Sequence, residues 1–368
     1  MMQERLRRDL CELMMVPGLS GHEDRVRAAI RAKLEAAGIS SRADRLGNLI
    51  VTAEGDAGAP GVMVFAHMDQ LGFVVRKIEP DGLIRVHRLG GVPERALASQ
   101  AVLLCVGEGR DVAGVIGNKS HHATTPKEKF RVQNATDLRI DTGHGSARAV
   151  ADAGIQIGTP VVYRPNVFSL AGDRIAGTSV DDRAGCAVLL EVARGLSGRK
   201  SGPTVHVVFS VQEEFNLRGA VVAAQSLRPD IAIQVDLMLA SDTPDTADLG
   251  EMRLGGGPAI SLYSFHGRGT LNGVIAHPAL VRLFDDAAQA AEINLQRSAQ
   301  VGVLTDLSYV QTVGDGVASI DVGFGMRYSH SSLEVCELSD LVGLSNLILE
   351  SLARITPDFS LDRDASPP

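Results

Sequence analysis

Apolar positions along the chain fall into two textures. After Ser20-Gly21-His22-Glu23, which has the Ser-x-x-Glu form of a capping box, Val26, Ala29, Ile30, Leu34 and Ala37 recur at helical spacing and Gly38 supplies a stop. An amphipathic helix is expected there. The runs 48–52 and 61–66 are short, apolar and bounded by Gly, Asp and Pro, so they read as buried strands. From Leu71 the texture changes: 73–78 and 83–88 flank a Pro80-Asp81-Gly82 turn as a hairpin, and 102–106, 112–116 and 159–163 keep strand composition without a long helix between them. Beyond Ser179 helix and strand alternate, with helices expected over 183–196, 218–227, 278–291 and 338–355 and strands over 204–211, 231–239 and 318–323. This predicts an α/β layer fold built from residues 1–70 and 167–368, interrupted by an inserted all-β domain over 71–166. No internal repeat is visible, and the polar tail 362–368 is expected to fray.

Composition narrows the function classes. The formal net charge of −8 disfavours nucleic acid and anionic membranes as partners, since both require a basic surface. No apolar run reaches the ~18 residues needed to span a bilayer, and the start, MMQERLRRDLCELMM, alternates charged with apolar residues where a secretory signal needs an unbroken apolar stretch. A cytoplasmic protein is the expectation. Cys11, Cys105, Cys186 and Cys336 form no Cys-x-x-Cys pair, which argues for buried reduced thiols over a thiolate metal site or a disulfide framework. With no Trp and 4% aromatic residues, the chain is poorly equipped to stack on sugars or bases.

Its acids and imidazoles are better placed. His67 follows an apolar strand, Asp181 and Asp182 precede a helix, Glu213 and Glu214 end the run Val205–Val211, Asp236 ends Ile231–Val235, and His330 follows Tyr328-Ser329. In open α/β sheets that edge is where ligands bind. Each signal is weak alone: a lone His is usually satisfied locally, and Asp182 is a plausible helix cap. Two adjacent acids, however, repel unless a cation offsets them, so a carboxylate shared between two metals accounts better for Asp181-Asp182. Glu213-Glu214 is the sharpest feature, because adjacent strand residues point to opposite faces and can serve one centre only where the strand gives way to a loop. One glutamate can then ligate while the other acts as general base. Asp69, two residues after His67, is positioned to fix its tautomer, and Asp236 sits in an apolar run where an unpaired carboxylate is costly. Asp242 and Asp245 read as turn chemistry, His121-His122 as a loop, and Gly267–Gly273 has the wrong spacing for a dinucleotide fingerprint.

Taken together, Ala66-His67-Met68-Asp69-Gln70-Leu71-Gly72-Phe73, Asp181-Asp182-Arg183-Ala184-Gly185, Gln212-Glu213-Glu214-Phe215 through Ala220, Val235-Asp236 and Arg327–Ser331 resemble the family forty-two metallopeptidases, the tetrahedral, glutamyl and deblocking aminopeptidases, some of them labelled endoglucanase M. The resemblance covers nearly the whole chain. It implies a zinc-peptidase-like α/β/α sandwich with a mixed central sheet and an inserted barrel-like domain. It also implies two divalent cations, zinc first with cobalt or manganese as alternatives: His67 and Asp236 on one, Glu214 and His330 on the other, Asp181 bridging. Glu213 becomes the general base and Asp69 orients His67. Peptides are the implied substrate and homo-oligomers the implied state, dimers assembling into a twelve-subunit tetrahedron through the inserted domain. Ser120-His121-His122 and Gln70 depart from the family pattern. The competing readings are a dimetal deacylase or carboxypeptidase, a catalytically silent binding protein on the same fold, and a glycosidase, which lacks its stacking platforms.

Overall fold

The computed structural model describes residues 1–199, 201–267 and 272–363. Four adjacent strands, Val205–Ser210, Val62–His67, Ile231–Leu239 and Ala318–Arg327, run mutually parallel at the centre of a 12-stranded mixed sheet. Leu49–Ala53 and Arg42–Ala43 extend one side, and Glu334–Glu337, Arg174–Gly177 and Val167–Ser169 the other. Val62–His67 is buried along its whole length, as expected for a parallel strand covered on both faces. The helices Met2–Met14, Val180–Leu196, Pro278–Ala290 and Leu338–Ala353 cover one face, and Gly219–Leu227 with Leu307–Val310 covers the other. This is an α/β/α sandwich. Six strands, Gly72–Ile78, Ile84–Leu89, Ile140–Asp141, Val112–Ile116, Ala101–Leu104 and Pro160–Tyr163, close into a barrel with its own core around Phe73, Ile84, Leu104 and Tyr163. Among the described residues no helix is long and apolar enough to cross a membrane.

Several local expectations change. The helix Asp24–Ala36 starts without a side-chain cap, so Ser20 and Glu23 do not form a capping box. Instead the Ser20 hydroxyl donates to Asp69, and Glu23 Oε1 accepts from Gly21 N and Gln212 N, at 2.7 and 3.1 Å. The first helix, Met2–Met14, was not singled out because charges interrupt its pattern, yet Leu6, Leu10, Leu13 and Met14 share its buried face. The strand expected to stop at Gly323 continues to Arg327. Ala259–Phe265 and Gln296–Val301 are further strands, parallel to one another. Their buried inward residues include Ser261, Ser264, Ser298 and Gln300, so the apolar alternation that reveals a strand is missing. All four thiols are free; Cys186 and Cys336 are buried, while Cys11 and Cys105 are partly exposed. Part of the Gly267–Gly273 segment and residues 364–368 of the tail lie outside the described residues.

Candidate metal centre

Because the central strands are parallel, their carboxyl ends meet at one edge, and the side chains just beyond them converge. His67, Asp181, Glu213, Glu214, Asp236 and His330 all line one cavity of about 540 Å³. The Asp181 carboxylate spans its middle: Oδ1 lies 2.9 Å from His67 Nε2 and Oδ2 lies 3.4 Å from His330 Nε2. Glu214 Oε1 is 3.8 Å from His330 Nε2, and Glu213 Oε2 is 4.0 Å from His67 Nε2. Asp181, Glu214 and His330 offer ligand atoms within 4.8 Å of one another, and so do His67, Asp182 and Asp236.

The two imidazoles are oriented in the same way. His67 Nδ1 faces the Asp69 backbone carbonyl at 3.1 Å, and His330 Nδ1 faces the Gly91 carbonyl, in the barrel's loop, at 2.9 Å. A carbonyl only accepts, so each Nδ1 carries hydrogen and each Nε2 is directed at the shared centre. The Asp69 carboxylate lies 3.6 Å from His67 Nδ1 and has further partners: Oδ1 accepts from Glu213 N at 2.9 Å and Oδ2 from Glu214 N at 3.0 Å. Asp236 is held by Gln234 Nε2 at 3.1 Å and by Leu237 N at 2.6 Å.

Asp182 is a residue for which sequence left two readings, cap or ligand. Its Oδ1 accepts from Gly185 N at 2.9 Å, as a helix cap does, while Oδ2 meets no hydrogen-bond partner among the described residues. The peptide bond joining Asp181 to Asp182 is cis. Glu334 escaped notice altogether: buried beneath the site, it accepts from Asp181 N at 3.1 Å and from His330 N at 2.7 Å. Asp306, also missed, accepts from Ser210 Oγ at 3.3 Å. Neither follows a long apolar run, which was the signal that exposed the other acids. His121 and His122 lie exposed in a short turn of helix on the barrel, outside both groups. Asp242 and Asp245 are indeed loop residues; Asp242 forms a two-pronged pair with Arg327, at 2.7 Å for each contact.

Electrostatics at this edge are lopsided. Burial pushes Glu213 well above the ordinary carboxylate range, with Glu214 adding repulsion. Burial lifts Glu214 to about 7 and Asp236 to about 6, each also repelled by Asp181. Asp182 is raised well above its usual value by burial and by Asp236. Asp181 moves the other way: burial opposes its ionisation, but hydrogen bonds from His330 and His67 outweigh burial and hold it low. The same contacts, against desolvation, lift both histidines well above their ordinary value. The fully buried Arg183, bonded through Nη2 to Val16 O at 3.2 Å and Gln70 Oε1 at 3.3 Å, contributes one positive charge behind the acids. A buried group of carboxylates with so little compensation suits bound cations. Every donor facing the cavity is nitrogen or oxygen; the nearby Cys186 thiol donates to the His67 carbonyl at 3.2 Å.

Residues 47–347 match the family model described as M42 glutamyl aminopeptidase. The chain belongs to the M42 peptidase family. This M42 chain is therefore a peptidase, a hydrolase of amide bonds. It is 37% identical to the putative aminopeptidase SgcX of Escherichia coli, over 97% of this chain and 95% of that protein. Among solved structures it superposes on aminopeptidase APDkam598 of Desulfurococcus kamchatkensis with a TM-score of 0.89 and 32% identity, covering 97% of each chain. It also superposes on the Pyrococcus horikoshii TET1 peptidase, described as assembling into a tetrahedron or a large octahedral shell, with a TM-score of 0.84, 27% identity and coverage of 94% and 99%.

Proposed function

We propose that this peptidase is an aminopeptidase that holds two divalent cations and removes N-terminal residues from short peptides. The observation that carries the reading is the Asp181 carboxylate, which offers one oxygen to the His67 side of the cavity and the other to the His330 side. His67 and Asp236 would hold one cation, Glu214 and His330 the other, and Asp181 both. The orphaned Asp182 oxygen and the raised acids fit such a pair, and the nitrogen and oxygen donors suit zinc, cobalt or manganese. When bound, the cations supply an acidified water and polarise the scissile carbonyl.

The chain's own residues then handle binding and the proton. Glu213 belongs to neither three-residue group, and its carboxylate lines the cavity beside His67. It accepts the proton from the attacking water and returns it to the leaving amine. Asp69 orients His67 through its backbone carbonyl and fixes both glutamates through their amides. A carboxypeptidase or a deacylase of amino acids needs a cationic side chain for the substrate carboxylate, and the described lining includes neither Lys nor Arg. We further propose a homo-oligomer, as in the P. horikoshii neighbour, with contacts on the inserted unit 71–166.

The test compares cleavage of aminoacyl p-nitroanilides with hydrolysis of N-acyl amino acids, with and without a chelator, alongside elemental analysis. Chelator-sensitive cleavage of the anilides and two cation equivalents per chain support the reading. Turnover of only the N-acyl compounds, or full activity without metal, refutes it.

A further inference from the structure

All four carboxylates lining the cavity gather at one end with the imidazoles of His67 and His330. The rest of its described wall includes Leu217, Leu237, Leu239, Val303 and Leu304, with polar groups, among them Asn216, Thr305 and a third imidazole, His266, between them. Leu237 and Leu239 come from the same strand as Asp236, so this apolar wall begins directly beside the acids. Resting on the aminopeptidase reading, we propose that the wall is the pocket for the substrate's N-terminal side chain and selects neutral aliphatic residues of leucine size.

Chemistry decides the class. With the scissile carbonyl and the α-amine at the acid-rich end, the first side chain has the aliphatic wall as its neighbour. A lysine side chain placed there would bring its ammonium into a surface with no spare carboxylate, because each acid of the cavity is already assigned to a cation or to proton transfer. A glutamate would meet no lysine or arginine among the described lining residues. Among the described lining residues the ammonium would be desolvated without a partner and the carboxylate would have only the His266 imidazole, a heavier penalty than any methylene contact returns. Alanine would leave the aliphatic wall only partly filled.

The experiment measures kcat/KM of the full-length, metal-reconstituted protein on leucyl-, alanyl-, lysyl- and glutamyl-amidomethylcoumarin. Leucine is expected to exceed alanine by ~10-fold or more, the scale of discrimination a hydrophobic pocket achieves. It is expected to exceed lysine by ~100-fold, the ammonium being left unpaired, and glutamate, which meets only an imidazole, by ~10-fold or more. Rapid cleavage with lysine or glutamate equal to or above leucine overturns the pocket assignment while leaving the aminopeptidase reading intact. No cleavage of any of the four by protein carrying its cations overturns both. A second measurement uses Leu239→Asp, which should raise the lysine-to-leucine ratio at least ~10-fold, against Leu239→Asn, which should not, since only the former restores a partner for the ammonium. If the folded Leu239→Asp protein keeps the original ratio, Leu239 does not face the substrate side chain and the proposal fails.

Discussion

Removing the cations should make the protein's stability strongly and unusually pH-dependent. Without cations to offset them, Glu23, Glu214, Asp306 and Asp321 are each pushed up to about 7, burial being the largest cause in every case. Glu213, Asp182 and Glu334 are also raised, as are His67 and His330. A group with its folded pKa above its unfolded one stabilises the fold fully below the unfolded value, and that contribution is lost as pH rises through the folded value. Asp181, which is depressed, is ionised in both states above pH 5 and adds no slope there. Between pH 6 and 8 a carboxylate with folded pKa about 7 loses ~1.4 kcal/mol relative to the unfolded chain. The four groups that reach about 7 together contribute at most ~5 kcal/mol, reduced by their mutual coupling. The assay is urea denaturation of chelator-treated protein at the two pH values, repeated with zinc or cobalt. Metal-free protein should be less stable at pH 8, and bound cations should raise stability most at pH 8 and flatten the slope, because they keep Glu214 and Asp236 ionised throughout. Metal-free protein that is more stable at pH 8, or a slope indifferent to cations, would refute the electrostatic account.

Substitutions at three positions probe the site further. Glu213→Gln should retain both cations by elemental analysis and lose ~100- to 10,000-fold in kcat, the range expected when a general base is removed; near-normal turnover would exclude that role. Glu23→Ala should keep the cations yet lower kcat by ~10- to 100-fold through misplacement of the 212–214 backbone, whereas Glu23→Gln, with an amide oxygen still able to accept from Gln212 N, should recover most of it. Equal loss in both variants would point to the charge of Glu23 instead. Gly185→Ala would place a Cβ 2.3 and 2.4 Å from the Asp182 carboxylate oxygens, so the cap must open, with a destabilisation of ~1–3 kcal/mol typical of overpacking; unchanged thermal unfolding would show that Asp182 tolerates another rotamer.

The sequence made the acid-bearing edge legible because buried parallel strands leave an apolar run that ends abruptly in acid. That pattern marks the stretches carrying His67, Glu213-Glu214 and Asp236, which the structure gathers around one cavity. What stayed hidden was decided by tertiary pairing. Ser20 and Glu23 have the local spacing of a helix cap, but in the fold their polar groups face Asp69 and Gln212, which no window around residue 20 reveals. Glu334 and Asp306 follow no long apolar run that would mark them. The strands Ala259–Phe265 and Gln296–Val301 bury serines and a glutamine where apolar residues would have advertised them. The barrel was readable as strand composition, but its closure, which seats the Gly91 carbonyl against His330, depends on register between segments far apart in the chain.

The amide clamp explains how neighbouring glutamates reach one cavity despite the alternation of a strand. The strand ends at Ser210, and Gln212 takes a positive φ of 58°, a left-handed conformation that a non-glycine residue adopts only when its surroundings hold it. The surroundings are explicit: three consecutive amides, of Gln212, Glu213 and Glu214, are received by Glu23 Oε1, Asp69 Oδ1 and Asp69 Oδ2. Successive amides of an extended strand would point to opposite sides, so two carboxylates on one side can bind all three only if the backbone has turned. That turn brings both glutamate side chains to the cavity. The carboxylates doing the holding come from the segment that follows His67 and from the one that precedes the helix Asp24–Ala36. Placement of the proposed base is thereby coupled to placement of His67 through Asp69, and a substitution at Asp69 should disturb both together, whereas one at Glu23 should disturb the glutamates and leave His67 in place.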